Sequence, residues 1–125
     1  MNPSIIQTDK APKAIGPYSQ GVCLNGVYYF SGQIGLIPSS GEMAQGFDAQ
    51  LKQVLSNIDG LLTSQNLSRS HVVKTTIFIK NMSDFPGVNA AYEDFFKAPY
   101  PARSTVEVSG LPKGALVEIE VIAAK

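Results

Sequence analysis

Arg103 follows Tyr100-Pro101-Ala102 and opens an alternating run that ends at Val108. The proline stiffens the approach, so the guanidinium leaves the strand from a fixed point. A rigidly placed arginine at a strand end suits a carboxylate, which it can grip through two parallel hydrogen bonds. The plainer use of the same residue is an ion pair with Glu107 or Glu118. Glu118 and Glu120 lie two residues apart in a second alternating run and share one face, their side chains roughly 7 Å apart. Either is a general base for water if burial and a neighbouring arginine tune it, and a solvated strand residue if they do not. Tyr18 follows Gly16-Pro17, where its ring can cover a small ligand or pack into a core.

Other chemistries find little support. One histidine and one cysteine, far apart, fall short of the three or four ligands of a zinc site, so no metal is expected. His71 heads a strand and reads as a surface or satisfied-edge residue. No Gly-x-Ser-x-Gly elbow backs a serine nucleophile, and no glycine pair has phosphate-loop spacing to a lysine.

The elements that must position these residues follow from periodicity. Residues 1–17, with Pro3, Pro12, Pro17 and Gly16, read as an extended arm. Ser19 to Leu24 and Val27 to Ser31 flank Asn25-Gly26, a strong hairpin signal because both residues tolerate positive φ. Gly32 to Gly46 reads as a loop. Apolar residues at 47, 51, 54, 55, 58, 61 and 62 predict a helix over Phe47 to Gln65, closed by Asn66 or Ser68. Gln50, Lys52, Gln53, Ser56 and Asn57 are expected to face away from its core side. Val72 to Lys80 predicts a strand with Val73, Thr75, Ile77 and Ile79 on one face. A second helix is expected from Phe85 to Lys97, with Asp84 as N-cap and Phe85, Val88, Tyr92, Phe95 and Phe96 as its apolar stripe. Strands over Arg103 to Val108 and Leu116 to Ala124, separated by a turn at Gly110 to Gly114, complete a β-β-α-β-α-β-β order.

This is an α+β pattern, a mixed sheet of about six strands with two helices on one face. On the other face, one arrangement of the pleats places Phe78, Thr76 and Ile122 beside Glu118, Glu120, Arg103 and Thr105. A mixed face with apolar patches predicts an oligomer with polar clefts between subunits. The 125 residues suit one domain over 1–125, and 44% hydrophobic against 16% charged residues describes a folded chain. Ten basic residues balance ten acidic ones, which argues against nucleic-acid binding. The lone Cys23, the lack of an apolar leader and the lack of a run near 20 apolar residues predict a cytoplasmic chain without a membrane partner.

Several motifs occur in order: Ala14-Ile15-Gly16-Pro17-Tyr18-Ser19-Gln20, Ser31-Gly32-Gln33-Ile34, Val73-Lys74-Thr75-Thr76-Ile77-Phe78, Val88-Asn89-Ala90-Ala91-Tyr92 and Pro101-Ala102-Arg103-Ser104-Thr105-Val106-Glu107-Val108. Leu111-Pro112-Lys113 and Val117-Glu118-Ile119-Glu120 complete the series. Together they resemble the reactive intermediate deaminase family, RidA/YjgF, over about residues 5–124.

The resemblance implies a chorismate-mutase-like fold in a homotrimer with three clefts between subunits. It implies hydrolysis of enamines and imines such as 2-aminoacrylate and 2-aminocrotonate to 2-oxo acids and ammonia, without a cofactor. By that similarity Arg103 binds the carboxylate and Glu118 holds the reacting water. Tyr18 lines the cleft, while Gly32, Asn89 and Thr105 line or support it. Thr105 replaces a cysteine common at this place, which leaves the backbone N–H but no thiol chemistry. Two other expectations compete: a regulatory module that binds 2-oxo acids without turnover, and RNA cleavage with translation inhibition. The second sits poorly with the balanced charge and the single histidine.

Overall fold

The computed structural model describes residues 2–125. Strand β1 (Ser4–Ile6) pairs antiparallel with β2 (Gly21–Leu24), which turns through Asn25-Gly26 into β3 (Val27–Phe30). Both turn residues have positive φ, 54° and 78°, as the hairpin signal requires. Helix α1 (Phe47–Ser64) follows, then β4 (Val72–Ile79), α2 (Phe85–Phe95), β5 (Ala102–Glu107) and β6 (Val117–Ala124). The sheet order is β1-β2-β3-β6-β4-β5. Only β4 and β5 are parallel, because α2 provides the crossover that such a pair needs. No helix among the described residues is long and apolar enough to cross a membrane.

The sixth strand lies in the segment read as an extended arm: Ile5 pairs with Val22 and Ile6 with Gly21. Alternation along β6 holds as expected, with Val117, Ile119, Val121 and Ala123 buried against the helices. In β4 the expected face is wrong at one position. Val72 is buried and Val73 is half exposed, because a bulge between Val72 and Lys74 resets the pleat before Thr75, Ile77 and Ile79 turn inward.

Helix α1 buries Leu51, Val54, Ile58, Leu61 and Leu62, as the period predicts. It ends one residue early, at Ser64. Asn66 takes φ 58°, and the Leu67 and Asn66 N–H groups donate to the Leu62 and Thr63 carbonyls. Gly60 lets the arm touch the helix, since a Cβ there would collide with the Lys10 carbonyl. Two residues expected to face away, Gln50 and Asn57, are buried instead. Each meets loop backbone: Asn57 Nδ2 donates to the Ile34 and Leu36 carbonyls, and the Leu116 N–H donates to Gln50 Oε1. Helix α2 stops at Phe95, two residues before the expected end. Asp84 forms no side-chain cap there; it closes a 3₁₀ turn, Met82–Asp84, that leads into the helix.

Candidate active site

Arg103 lies on the outer strand β5, opposite Thr75 of β4. Thr75 is fully buried on the helix side, so Arg103 also points toward that layer, where α2 meets it. Its Nη1 donates to Asn89 Oδ1 at 2.6 Å. Its Cζ stands 5.1 Å from the centre of the Tyr92 ring and 5.3 Å from that of Phe85. Tyr92 is itself held by a 3.0 Å hydrogen bond between its hydroxyl and Thr75 Oγ1. Burial raises the proton affinity of this tyrosine, which keeps the ring neutral beneath the cation. The expected ion pair with Glu107 or Glu118 is not formed. Glu107 accepts from the Met82 N–H, and among the described residues Arg103 has no carboxylate partner. The guanidinium is thus oriented without an ion pair, over an open pocket of about 520 Å³ that Asn89, Tyr92, Glu93, Tyr100 and Pro101 also line.

Glu118 sits in a different pocket, of about 440 Å³, with Tyr18, Gly32 and Ile34. Its strand brings it opposite Phe78 on the open face of the sheet. Gly32 makes room for it: a Cβ there would overlap the Glu118 carboxylate. The neighbouring Gln33 is bound to Ile119 in both directions, at 2.8 and 3.1 Å, which locks the loop to β6 beside the carboxylate. Half-burial pushes the Glu118 carboxyl above the usual glutamate range, and repulsion from Glu120 adds to it. Tyr18 is more than half exposed at the pocket rim, so it is not a core tyrosine. The arm that carries it is pinned at its base by buried Gln20, whose amide accepts from the Thr8 N–H and donates to the Pro12 carbonyl.

The candidate residues therefore fall into two groups. Arg103 and Asn89 are bonded, and Thr105 lies two residues along the same face of β5, opposite buried Ile77. Thr105 Oγ1 is shut off from solvent without a hydrogen-bond partner. Tyr18, Gly32 and Glu118 form the second group. The pleat arrangement that placed Arg103 and Thr105 beside Glu118 is wrong, because the β4–β5 register turns both toward the helices and leaves Ser104 and Val106 on the open face. Within one chain the arginine and the glutamate address opposite sides of the sheet. His71 is satisfied locally, its Nδ1 accepting from the Ser68 N–H at 2.9 Å. No three histidine, cysteine or carboxylate side chains gather as a metal-binding group among the described residues.

The family model described as Endoribonuclease L-PSP matches residues 8–125. The chain is 45% identical over 120 residues to the human protein named 2-iminobutanoate/2-iminopropanoate deaminase, covering 95% of this chain and 88% of that one. The chain belongs to the RidA/YjgF family. A RutC family protein of Aquifex aeolicus is 46% identical over 122 residues, covering 96% of this chain and 98% of the relative. The crystal structure of E. coli TdcF with bound serine superposes with a TM-score of 0.93 at 41% identity, covering 98% of each chain. The RidA/YjgF fold thus holds a small amino acid in at least one relative, and some relatives carry deaminase names.

Sequence reasoning missed the platform beneath the arginine in this RidA/YjgF chain. Phe85 and Tyr92 read only as an apolar stripe, and Tyr100 only as part of the approach to Arg103, yet Arg103 lies over the first two and the third lines its pocket. A tyrosine hydroxyl in an otherwise apolar stripe was the available signal, since a buried hydroxyl needs a partner.

Proposed function

We propose that the protein is a 2-iminobutanoate/2-iminopropanoate deaminase of the cytoplasm, working as a homotrimer without a cofactor. The observation that carries this reading is Arg103, oriented and without an ion pair on one face, and the half-buried Glu118 on the other, each in its own open pocket. Two copies meeting edge to face bring the halves together, which a single chain cannot do. The open face supports such packing, since Ile5, Tyr29 and Val106 are all more than 40% exposed there.

In this cleft Arg103 grips the substrate carboxylate, and Asn89 keeps the guanidinium oriented. The Thr105 backbone N–H supports the same carboxylate end. Glu118 aligns a water against the imine carbon, and Tyr18 covers the ligand from the rim. Gly32 leaves room for the carboxylate of Glu118. Water adds to the imine carbon and one of its protons passes through Glu118 to the nitrogen, which gives a carbinolamine. The proton of the new hydroxyl then follows the same route to the amino group as the C–N bond breaks and the C=O forms, and ammonia and the 2-oxo acid depart. Such imines already hydrolyse in water, so positioning supplies most of the required acceleration.

A coupled assay tests the reading. A serine or threonine dehydratase supplies the imine, and 2-oxo acid formation is followed with and without this protein. Acceleration is expected, with Arg103→Ala losing about 10²-fold in kcat/KM, roughly 3 kcal/mol. No acceleration by the unaltered protein, or full activity in Arg103→Ala, would sink it.

A further inference from the structure

Two cationic side chains share the Glu118 pocket and have no task in the chemistry above. Lys13 follows Pro12 in the arm, and Lys113 sits between Pro112 and Gly114. Lys113 has φ +56°, a left-handed conformation held within the 3₁₀ turn Pro112–Gly114, so its side chain leaves a stiff corner. Both lysines are exposed. Neither makes an ion pair or a side-chain hydrogen bond among the described residues, whereas Lys74 and Lys125 are each bound to an oxygen.

Their position matters because of the charges around them. Glu118 and Glu120 put two carboxylates on one face of β6. Any 2-imino or 2-oxo acid that approaches is also an anion. Left alone, the carboxylates would repel it from the half of the cleft where water must be aligned. Two unpaired ammonium groups offset those two carboxylates, and from the rim they meet an approaching anion first and attract it over a Debye length. A substrate that decays unaided rewards such attraction, because only molecules captured in time are turned over by the protein.

We propose that Lys13 and Lys113 are an electrostatic capture pair at the mouth of the Glu118 pocket that raises the local concentration of anionic 2-imino acids. The identity of the substrate rests on the deaminase reading; the capture itself needs only a small carboxylate anion.

The test compares the unaltered protein with the Lys13→Gln, Lys113→Gln double variant and the corresponding double arginine variant. Two quantities are read at about 0.01 M and about 0.5 M NaCl, where the Debye length falls from roughly 30 Å to a few Å. One is kcat/KM for 2-iminopropanoate generated in place by a serine dehydratase. The other is the calorimetric Kd for stable 2-oxobutyrate. The glutamine variant is expected to be about three- to tenfold weaker in both at low salt and to converge with the unaltered protein at high salt. The arginine variant should keep the salt dependence. A deficit of equal size at both salt concentrations would mean lost contact or lost structure, and would overturn the proposal, as would no deficit at all. If the unaltered protein binds 2-oxobutyrate with lysine-dependent salt sensitivity but does not accelerate hydrolysis, the deaminase reading falls and the capture pair stands. Neither binding nor acceleration removes both.

Discussion

Glu118 and Arg103 are treated in opposite ways by their surroundings. Arg103 is oriented by its neighbours, through Asn89 and the rings of Tyr92 and Phe85. Glu118 is changed in kind: burial first, and Glu120 second, make its ionised form harder to reach. The proposed role needs that ionised form. The acceleration over the spontaneous rate should therefore fall as pH drops through a midpoint above the ordinary glutamate range. Glu120→Gln removes one source of repulsion, so that acid limb should move to lower pH, while Glu118→Gln should remove it together with most of the acceleration. A pH profile of kcat/KM for the three proteins checks this. The types and spacing of Arg103 and of the Glu118–Glu120 pair were legible in the chain. Asn89 and Gly32 were named only through the family resemblance, and Tyr92 only as part of an apolar stripe, because their contacts with Arg103 and Glu118 arise through packing.

Elements carry the site through a few buried polar contacts. The segment from Gly32 to Gly46, rich in glycine, proline and serine, reads as a loop, yet it is tied down by side chains of α1. Asn57 is fully buried and serves two loop carbonyls, with Gln53 completing its hydrogen bonding. Asn57→Ala should cost about 2–4 kcal/mol in urea unfolding, because two carbonyls lose their donor in the interior. Gln53→Ala should cost far less, its side chain being only partly buried. Hydrophobic period located both helices and five strands to within a few residues. It misplaced Gln50 and Asn57 because a polar residue between apolar ones reads as solvent-facing until a loop carbonyl is known to lie above it. It misread Val73 for a related reason: a bulge shifts the pleat without leaving a mark in composition. The three-residue β1 escaped notice because a strand that short has hardly any alternation to read.

At the scale of the whole molecule, the proposed site is divided between chains, and this can be shown by mixing. Arg103→Ala and Glu118→Gln should each be nearly inactive alone. Unfolded together and reassembled in equal amounts, they should regain about one quarter of the unaltered activity, since each shared cleft draws its arginine and its glutamate independently. No recovery would mean that both residues serve one chain, and light scattering should give a mass near three times 13.4 kDa for each protein. By itself, the order of residues determined the α+β class, the two amphipathic helices, the alternation of β6 and the residue types able to hold an anion and a water. Those are local properties, written in periods of two and 3.6 residues and in side-chain chemistry. Only tertiary structure decided that Arg103 faces the helices while Glu118 faces away. That choice depends on the parallel register of β5 against β4, set by a crossover through α2 that no local pattern encodes.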